Sequence, residues 1–405
     1  MKIVYLLICI SLCLFSCKQE KKVLSETNIL ETPWDTILQY SEGTDVNLVM
    51  WQGDPFINKY MDQYVVPTLK EKYNIDLNIS PGQGNDIVKM TMTSKEAGQT
   101  VGKIDMCWIN GETFYQLRQI EGLFGPFVNK LPNSAYVNFE NPFIGIDFQQ
   151  KIEGYESPWG NVQSTLIYDT IKVPHPPTTL DEFIVFVKSN PGKFTIPYEF
   201  TGLTLLKSWL IAIAGGEGSL SGDFNEIKYQ QYSSILWNKI NEMKPYLWKK
   251  GNTFPNTLSQ LHQMFSNGEV SFTMSNNDAE VDNKVLQKLF PESSKAYVLS
   301  SGSIQNSHYM GIFFNAPNKA ASMVVCNFLM SAEAQYEKMK PEIWGDGTII
   351  DLNKLSPDWQ QKFENIPTRK YAPKRSDIQQ YALMEIAPEY MIRMFDDFRK
   401  YVIEK

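Results

Sequence analysis

Residues Asp105–Leu117, DMCWINGETFYQL, run from an apolar, strand-like segment through Asn110, Gly111 and Glu112 into a helix-like pattern. Two other stretches repeat that order: Asn47–Tyr60 (NLVMWQGDPFINKY) and Ser271–Val285 (SFTMSNNDAEVDNKV). A buried strand, a polar turn and a helix start, used repeatedly, argue for α/β architecture with largely parallel sheets. In open α/β sheets the turns beyond the carboxyl ends of the strands line the crevice where ligands bind.

Working outward, Val46–Met50 and Asp76–Ile79 read as strands flanking a long helix from Pro55 to Tyr73. Pro55 suits a first turn, whereas Pro67 should kink or split that helix. Ile104–Ile109 is a further strand and Thr113–Ile120 a helix; after a proline-rich section, Gln163–Tyr168 is again extended. Thr178 or Thr179 should cap a helix whose Leu180, Phe183, Ile184 and Val187 share one face. An apolar helix stops at Gly215–Gly216, and helices are expected at Tyr229–Met243 and Thr257–Ser266. Ser331 with Glu333 looks like the cap of a late helix, and the remainder to Lys405 reads as mostly helical.

With 405 residues the chain exceeds what one core usually supports, so two lobes are expected. A net charge of −7 gives nucleic-acid binding no compositional support. At the N-terminus, Lys2 precedes the apolar run Ile3–Phe15, which is short for a bilayer span and ends in LFSC. That ending resembles a bacterial lipoprotein signal in which Cys17 is lipidated and becomes the mature N-terminus, a membrane anchor without a spanning helix. Losing residues 1–16, whose only charged side chain is Lys2, takes the net charge from −7 to −8. Residues 17–44 read as a flexible tether. Cys107 and Cys326 lie in apolar segments, and pairing between them is left open.

No HExxH, CxxC, EF-hand, phosphate-loop or GxSxG pattern occurs, so neither a metal site nor a cofactor is indicated. A carboxylate pair of glycosidase type is not selected by any motif. The candidate binding residues are polar and aromatic groups at strand ends. They are Trp51, Asp54, Asn110, Gly111, Glu112, Trp159, Tyr198, Thr201, Asn276, Asn277, Asp278 and His308. Each has a plainer reading: Trp51 and Trp108 suit a core, Asp54 and Asp278 suit helix caps, and Asn110-Gly111 suits a tight turn. SPWG (Ser157–Gly160) and SGSIQNSH (Ser301–His308) are extended stretches that could cross between lobes.

Taken together these stretches resemble the extracytoplasmic solute-binding proteins of ABC importers, with the two-lobed type II periplasmic-binding-protein fold. The segments carrying the resemblance are VNLVMWQGDPFINKY, GKIDMCWINGETFYQL, SPWGNVQSTLIYDTIKVPHPPTTLDEFIVFV, NGEVSFTMSNNDAEV and SHYMGIFFNAPNKAASMVVCNFLMSAEAQ, the last being the most specific. WINGE and SPWG are most similar to a branch near the thiamine-, iron- and polyamine-binding members. The paired tyrosines of the iron binders are absent, since no Tyr-Tyr occurs.

The resemblance implies a ligand cleft between two lobes, each a mostly parallel sheet flanked by helices. Residues 45–160 plus 301–345 would form one lobe and 161–300 plus 346–405 the other. It also implies a non-enzymatic, monomeric protein that closes on a small solute and docks on an ABC permease with its ATPase. Asp54, Glu112, Glu199 and Asp278 fall in or beside the candidate cleft turns, whereas lysine and arginine are missing from those turns. This favours a cationic solute, thiamine- or polyamine-like, with aromatic residues to face it; a sugar fits the same aromatic groups. The alternatives are a lipid-anchored glycan or peptide hydrolase and a sensory binding protein.

Overall fold

The computed structural model describes residues 29–405. Cys17, the signal segment and the first part of the expected tether lie outside the described residues.

The first sheet grows from the N-terminal strands. β1 (Thr44–Met50) and β2 (Ile75–Pro81) are parallel and in continuous register from Thr44 opposite Ile75 to Met50 opposite Pro81. The connection between them is the expected helix, in three parts: Pro55–Tyr60, a wide π turn at Met61–Val65, and Val66–Tyr73. Pro67 has no N–H, and its ring would press on the preceding turn of a regular helix. The π turn, in which the Val66 amide reaches back to the Met61 carbonyl, opens the helix there and lets it continue.

The helix Gly84–Glu96 then returns the chain to β3 (Met106–Ile109), parallel to β1 on its other side. Three parallel strands therefore end on the same edge, and the residues that follow them, Trp51, Gly82 and Asn110, share one cleft. A small hairpin, β4 (Ile146–Asp147) and β5 (Gln150–Lys151), precedes the strands that leave this lobe.

β6 (Glu156–Gln163) runs out of the first lobe, and after a break at Ser164 the chain continues as β7 (Thr165–Asp169) in the second. β7 is the central strand of a three-stranded sheet with β8 (Phe272–Ser275) and β9 (Ser294–Tyr297). Both pairings are antiparallel, so the expectation of a mostly parallel sheet holds in the first lobe but not in the second. β7 starts at the lobe boundary and runs away from it, whereas β8 and β9 run back. The carboxyl end of β8 thus meets the cleft as the first-lobe strands do.

β10 (Ser303–Ile312) returns the chain: its first residues pair with β11 (Ala382–Leu383), its last with β3, and most of its length with β6.

Two hydrophobic cores sit either side of these crossings. One gathers Leu48, Met106, Ile312 and Phe328, the other Ile167, Phe183, Trp209 and Phe272. The first core also takes Ile349, Ile350, Leu355 and Phe363, so residues 346–363 pack with the first lobe, not the second as expected; the second core resumes at Tyr371.

The tether reading fails between residues 29 and 44. Trp34–Ser41 is a helix that packs on the helix Lys319–Leu329, and Ile29 and Ile37 enter the first core. Its apolar positions are too few over eight residues to stand out from a polar background. Cys107 and Cys326 are both buried and free.

Because Ile37 is fully buried, Ile37→Ala should cost about 3 kcal/mol of unfolding free energy. A denaturant titration of the chain lacking its first sixteen residues measures this; a true tether would show no change.

Candidate ligand cleft

A cavity of about 850 Å³ lies between the lobes. Its first-lobe wall is aromatic. Trp51 and Trp108 meet edge to face at 6.3 Å, and Trp108 lies 5.1 Å from the His308 ring, which stacks on Trp344 at 5.6 Å. All four line the cavity. Trp108 therefore serves both readings, packed on one side and facing the cleft on the other. Trp159 is a correction: it is fully buried behind Trp108, ring centroids 5.0 Å apart, and contributes no surface to the cavity. Its place on β6 turns the large side chain into the first core.

Asp54 caps the helix Pro55–Tyr60, its Oδ1 accepting from the Phe56 amide at 2.8 Å and the Ile57 amide at 3.2 Å. It also lines the cavity, and its Oδ2 accepts from Lys284 Nζ of the second lobe at 2.5 Å. Cap and cleft readings thus both apply.

Gly111 does not line the cavity. Its φ of 58° suits glycine, its amide donates to the Asp147 carboxylate, and a Cβ there would sit 2.5 Å from the Phe148 ring. The conformation it permits presents Glu112, the first residue of the next helix, to the cavity. Burial pushes the Glu112 carboxyl up, against the pull of Lys207, and its Oε2 has no hydrogen-bond partner. Asn110 lines the cavity beside it.

From the second lobe, Tyr198, Thr201, Asn276 and Asn277 all reach the cavity. Tyr198 packs against Phe395 at 4.4 Å. Asn276 Nδ2 donates to Thr201 Oγ1 at 3.3 Å, leaving its Oδ1 unpartnered, while Asn277 Oδ1 accepts from the Ala279 amide at 2.9 Å. Glu199 caps the helix Phe200–Ile213 through the Thr201 and Gly202 amides. Burial still outweighs those bonds and pushes its carboxyl up to about 7.

Asp278 is, after Trp159 and Gly111, the third expected binding residue that the cavity does not include. It is buried away from the cavity against Arg369 and Arg375, which arrive from a distant segment and hold its carboxyl low despite burial.

The expectation that lysine and arginine avoid these turns also fails in space, since Lys284 bonds Asp54 and Lys89 lines the mouth. Sequence reasoning missed Trp344, Asp346 and Asn306, all of which line the cavity. Only the WGDG turn hinted at the first two.

His308 Nε2 lies 3.1 Å from Asp346 Oδ2, which also accepts from Lys338 Nζ, while Asp346 Oδ1 is unpartnered. Burial draws the Lys338 ammonium down to about 8, against Asp346. Gly160 makes this cluster possible, as a Cβ there would lie 2.1 Å from Asp346 Oδ2 and 2.3 Å from His308 Nε2.

Since Lys338 and Asp346 are both fully buried, Lys338→Ala should destabilise by about 3–5 kcal/mol. Lys70→Ala, which breaks the exposed Lys70–Asp76 pair, should change stability by less than about 1 kcal/mol in the same denaturant titrations.

No helix among the described residues is long and apolar enough to cross a membrane. Over residues 64–368 the chain matches the family of bacterial extracellular solute-binding proteins. It is 34% identical to protein YnjB of Escherichia coli strain K12 over 333 residues, 81% of this chain and 85% of that protein. Among solved structures, the TpPotD lipoprotein of Treponema pallidum is similar with a TM-score of 0.63 at 12% identity, over 89% of this chain and all of that one. An ABC transporter protein from Clostridium perfringens is similar with a TM-score of 0.60 at 15% identity, over 89% of this chain and 99% of that one. Both likenesses are of fold. With a two-lobed α/β body, a cleft between the lobes and a family match over most of its length, the chain belongs to the bacterial extracellular solute-binding proteins.

Proposed function

We propose that this protein captures a small, positively charged organic solute between its lobes and delivers it to a membrane permease driven by an ATPase. It acts outside the cytoplasm as a monomer, held to a membrane by a lipid on Cys17. The observation that carries the reading is the set of acceptors left without donors at the cleft: Glu112 Oε2, Asn276 Oδ1 and Asp346 Oδ1. Buried acceptors without partners are costly, and a solute bringing N–H donors and positive charge removes that cost. Around them the cavity is lined by seven carboxylates and one lysine. Some of that charge is already compensated, as Lys284 binds Asp54 and Glu280, and Lys338 binds Asp346. Among the described residues Glu112 and Glu199 make no salt bridge, and both are pushed toward the neutral acid by burial.

Trp51, Trp108 and Trp344 add π faces suited to a cation or a flat ring. This favours a thiamine- or amine-like solute over an uncharged sugar, which would leave Glu112 without a counter-charge. The lipid anchor rests on the LFSC sequence before Lys18, and the Treponema pallidum neighbour is itself a lipoprotein. Closure follows from the architecture, since lobes joined only by crossing segments can rotate and bury what lies between them.

A thermal-shift screen of amines, sugars and amino acids, followed by calorimetric titration of the best ligand, tests the reading. A cationic ligand should raise the melting temperature with saturation, and Glu112→Gln should weaken it more than tenfold, the loss expected for a charge-assisted hydrogen bond. Shifts confined to sugars or anions would refute it.

The pH dependence carries a sign. Below about pH 7 the empty cleft holds a proton on Glu199, and a bound cation favours the ionised form. Affinity should therefore rise with pH, by up to about tenfold per unit per proton released, and flatten above pH 7. Titrations across that range measure it; a flat profile would remove Glu199 from the site.

A further inference from the structure

Beside the cleft, two carboxylates that line the cavity hold a buried cation of the chain itself. Asp54 belongs to the first lobe and Glu280 to the second, and both line the cavity. The ammonium of Lys284 lies between them, 2.5 Å from Asp54 Oδ2 and 3.1 Å from Glu280 Oε1. Its side chain is 6% exposed. Glu280 is fixed from behind by His262 Nε2 at 3.1 Å and by the Ser275 hydroxyl, so neither carboxylate can swing away to another cation without breaking bonds. Asp54 is fixed equally by the two helix amides it caps. Beside this bridge, Asn283 Nδ2 donates to the Pro341 carbonyl of the other lobe at 2.6 Å. Burial opposes the charge on Lys284, yet Glu280 and Asp54 together hold the ammonium well above the ordinary lysine range.

We propose that Asp54 and Glu280 form a cation subsite spanning the two lobes, and that the chain fills it with its own Lys284, a tethered stand-in for an ammonium group of a solute. The inference deepens the solute-capture reading and rests on it for its consequence, that Lys284 sets specificity. With this subsite filled from within, the solute's positive end is left to Glu112, Glu199, Asn276 and Asp346. The protein then selects a solute with one cationic group and rejects one with a second ammonium, because that second group would meet Lys284. Removing Lys284 leaves two fixed carboxylates facing an open cleft, and an external alkylammonium of the deleted length replaces it.

The test uses the protein without residues 1–16 and the variants Lys284→Ala, Lys284→Met and Asp54→Asn/Lys284→Met. Lys284→Ala deletes the equivalent of propylammonium, so propylammonium chloride is the probe, with sodium chloride at equal ionic strength as control. Thermal melts and small-angle scattering are read with no other solute present, which separates this test from the identity of the solute. For Lys284→Ala the expected result is a lowered melting temperature and a more open particle, both restored by propylammonium and not by sodium. The parent protein, whose subsite Lys284 already fills, should gain less from propylammonium than Lys284→Ala does. Lys284→Met should respond less, because its side chain fills the space without a charge. The double variant, which leaves Glu280 with His262 and Ser275, should fold and respond no more than the parent; it also guards against misfolding of the single variants. Diamines should bind Lys284→Ala more tightly than the parent.

A Lys284→Ala protein that folds and closes like the parent, or whose response to propylammonium matches that of Lys284→Met or of sodium, would overturn the subsite. Unchanged discrimination between monoamine and diamine would overturn the specificity role alone. If the parent binds no amine at all while propylammonium still rescues Lys284→Ala, the failure lies in the solute reading and the subsite stands.

Discussion

The antiparallel ladder between β6 and β10 is the constraint on which the rest of this molecule depends. It runs from Gln305 opposite Gln163 to Gly311 opposite Glu156, with one irregularity at His308 and Tyr309. β6 leaves the first lobe along this ladder and β10 returns along it, so the two cores are held in one register by backbone hydrogen bonds. Every strand end that meets the cleft is placed relative to it. β3 pairs with the last residues of β10, and the Ser164 amide, where β6 gives way to β7, donates to the Ile304 carbonyl at 2.8 Å. Because the ladder occupies the boundary itself, polar side chains on it, such as Asn306 and His308, become part of the cavity.

Around that frame the buried charge falls into two classes. Some carboxylates are compensated by the chain: Asp278 by two arginines, Asp346 by Lys338, Glu385 by Lys207 at 2.6 Å. Removing one partner of such a pair leaves an uncompensated buried charge, so these pairs hold the lobes' shape more than they select a ligand. Glu112 and Glu199 have no such partner among the described residues, and burial drives both toward the neutral acid. A binding protein can tolerate that cost in the empty state because the solute relieves it on capture. Of the seven carboxylates on the cavity, three (Asp54, Glu280 and Asp346) are committed to lysines of the chain.

Local chemistry was readable from the sequence, and long-range pairing was not. Thr179 and Ser331 cap helices as expected, accepting from the Glu182 and Ala334 amides, and Thr257, expected as the first residue of its helix, is its cap, accepting from the Gln260 amide. The strand–turn–helix repeats put Trp51 and Asn110 on one cavity because parallel strands deliver their carboxyl ends to a common edge, and Asn276 reaches it from the carboxyl end of β8 in the antiparallel second sheet. Trp159 and Asp278 look the same in one dimension but face a core and an arginine pair in three. Lys284 and Trp344 were invisible for the converse reason. The partner of Lys284, Asp54, is 230 positions away, and the WGDG turn has no periodicity to mark it. The eight-residue helix Trp34–Ser41 is too short to show a pattern, and only the packing of Ile37 against the first core reveals it as structure.

The central claim is that a cationic solute is captured against the aromatic wall of the cleft. Intrinsic tryptophan fluorescence titrated with a graded set of monoamines, neutral alcohols of the same shape and carboxylates addresses it directly, since Trp51, Trp108 and Trp344 report from the cavity itself. The account predicts saturable change at one equivalent for amines and none for the matched alcohols or carboxylates. Saturation by the alcohols at equal affinity, or by carboxylates alone, would contradict it.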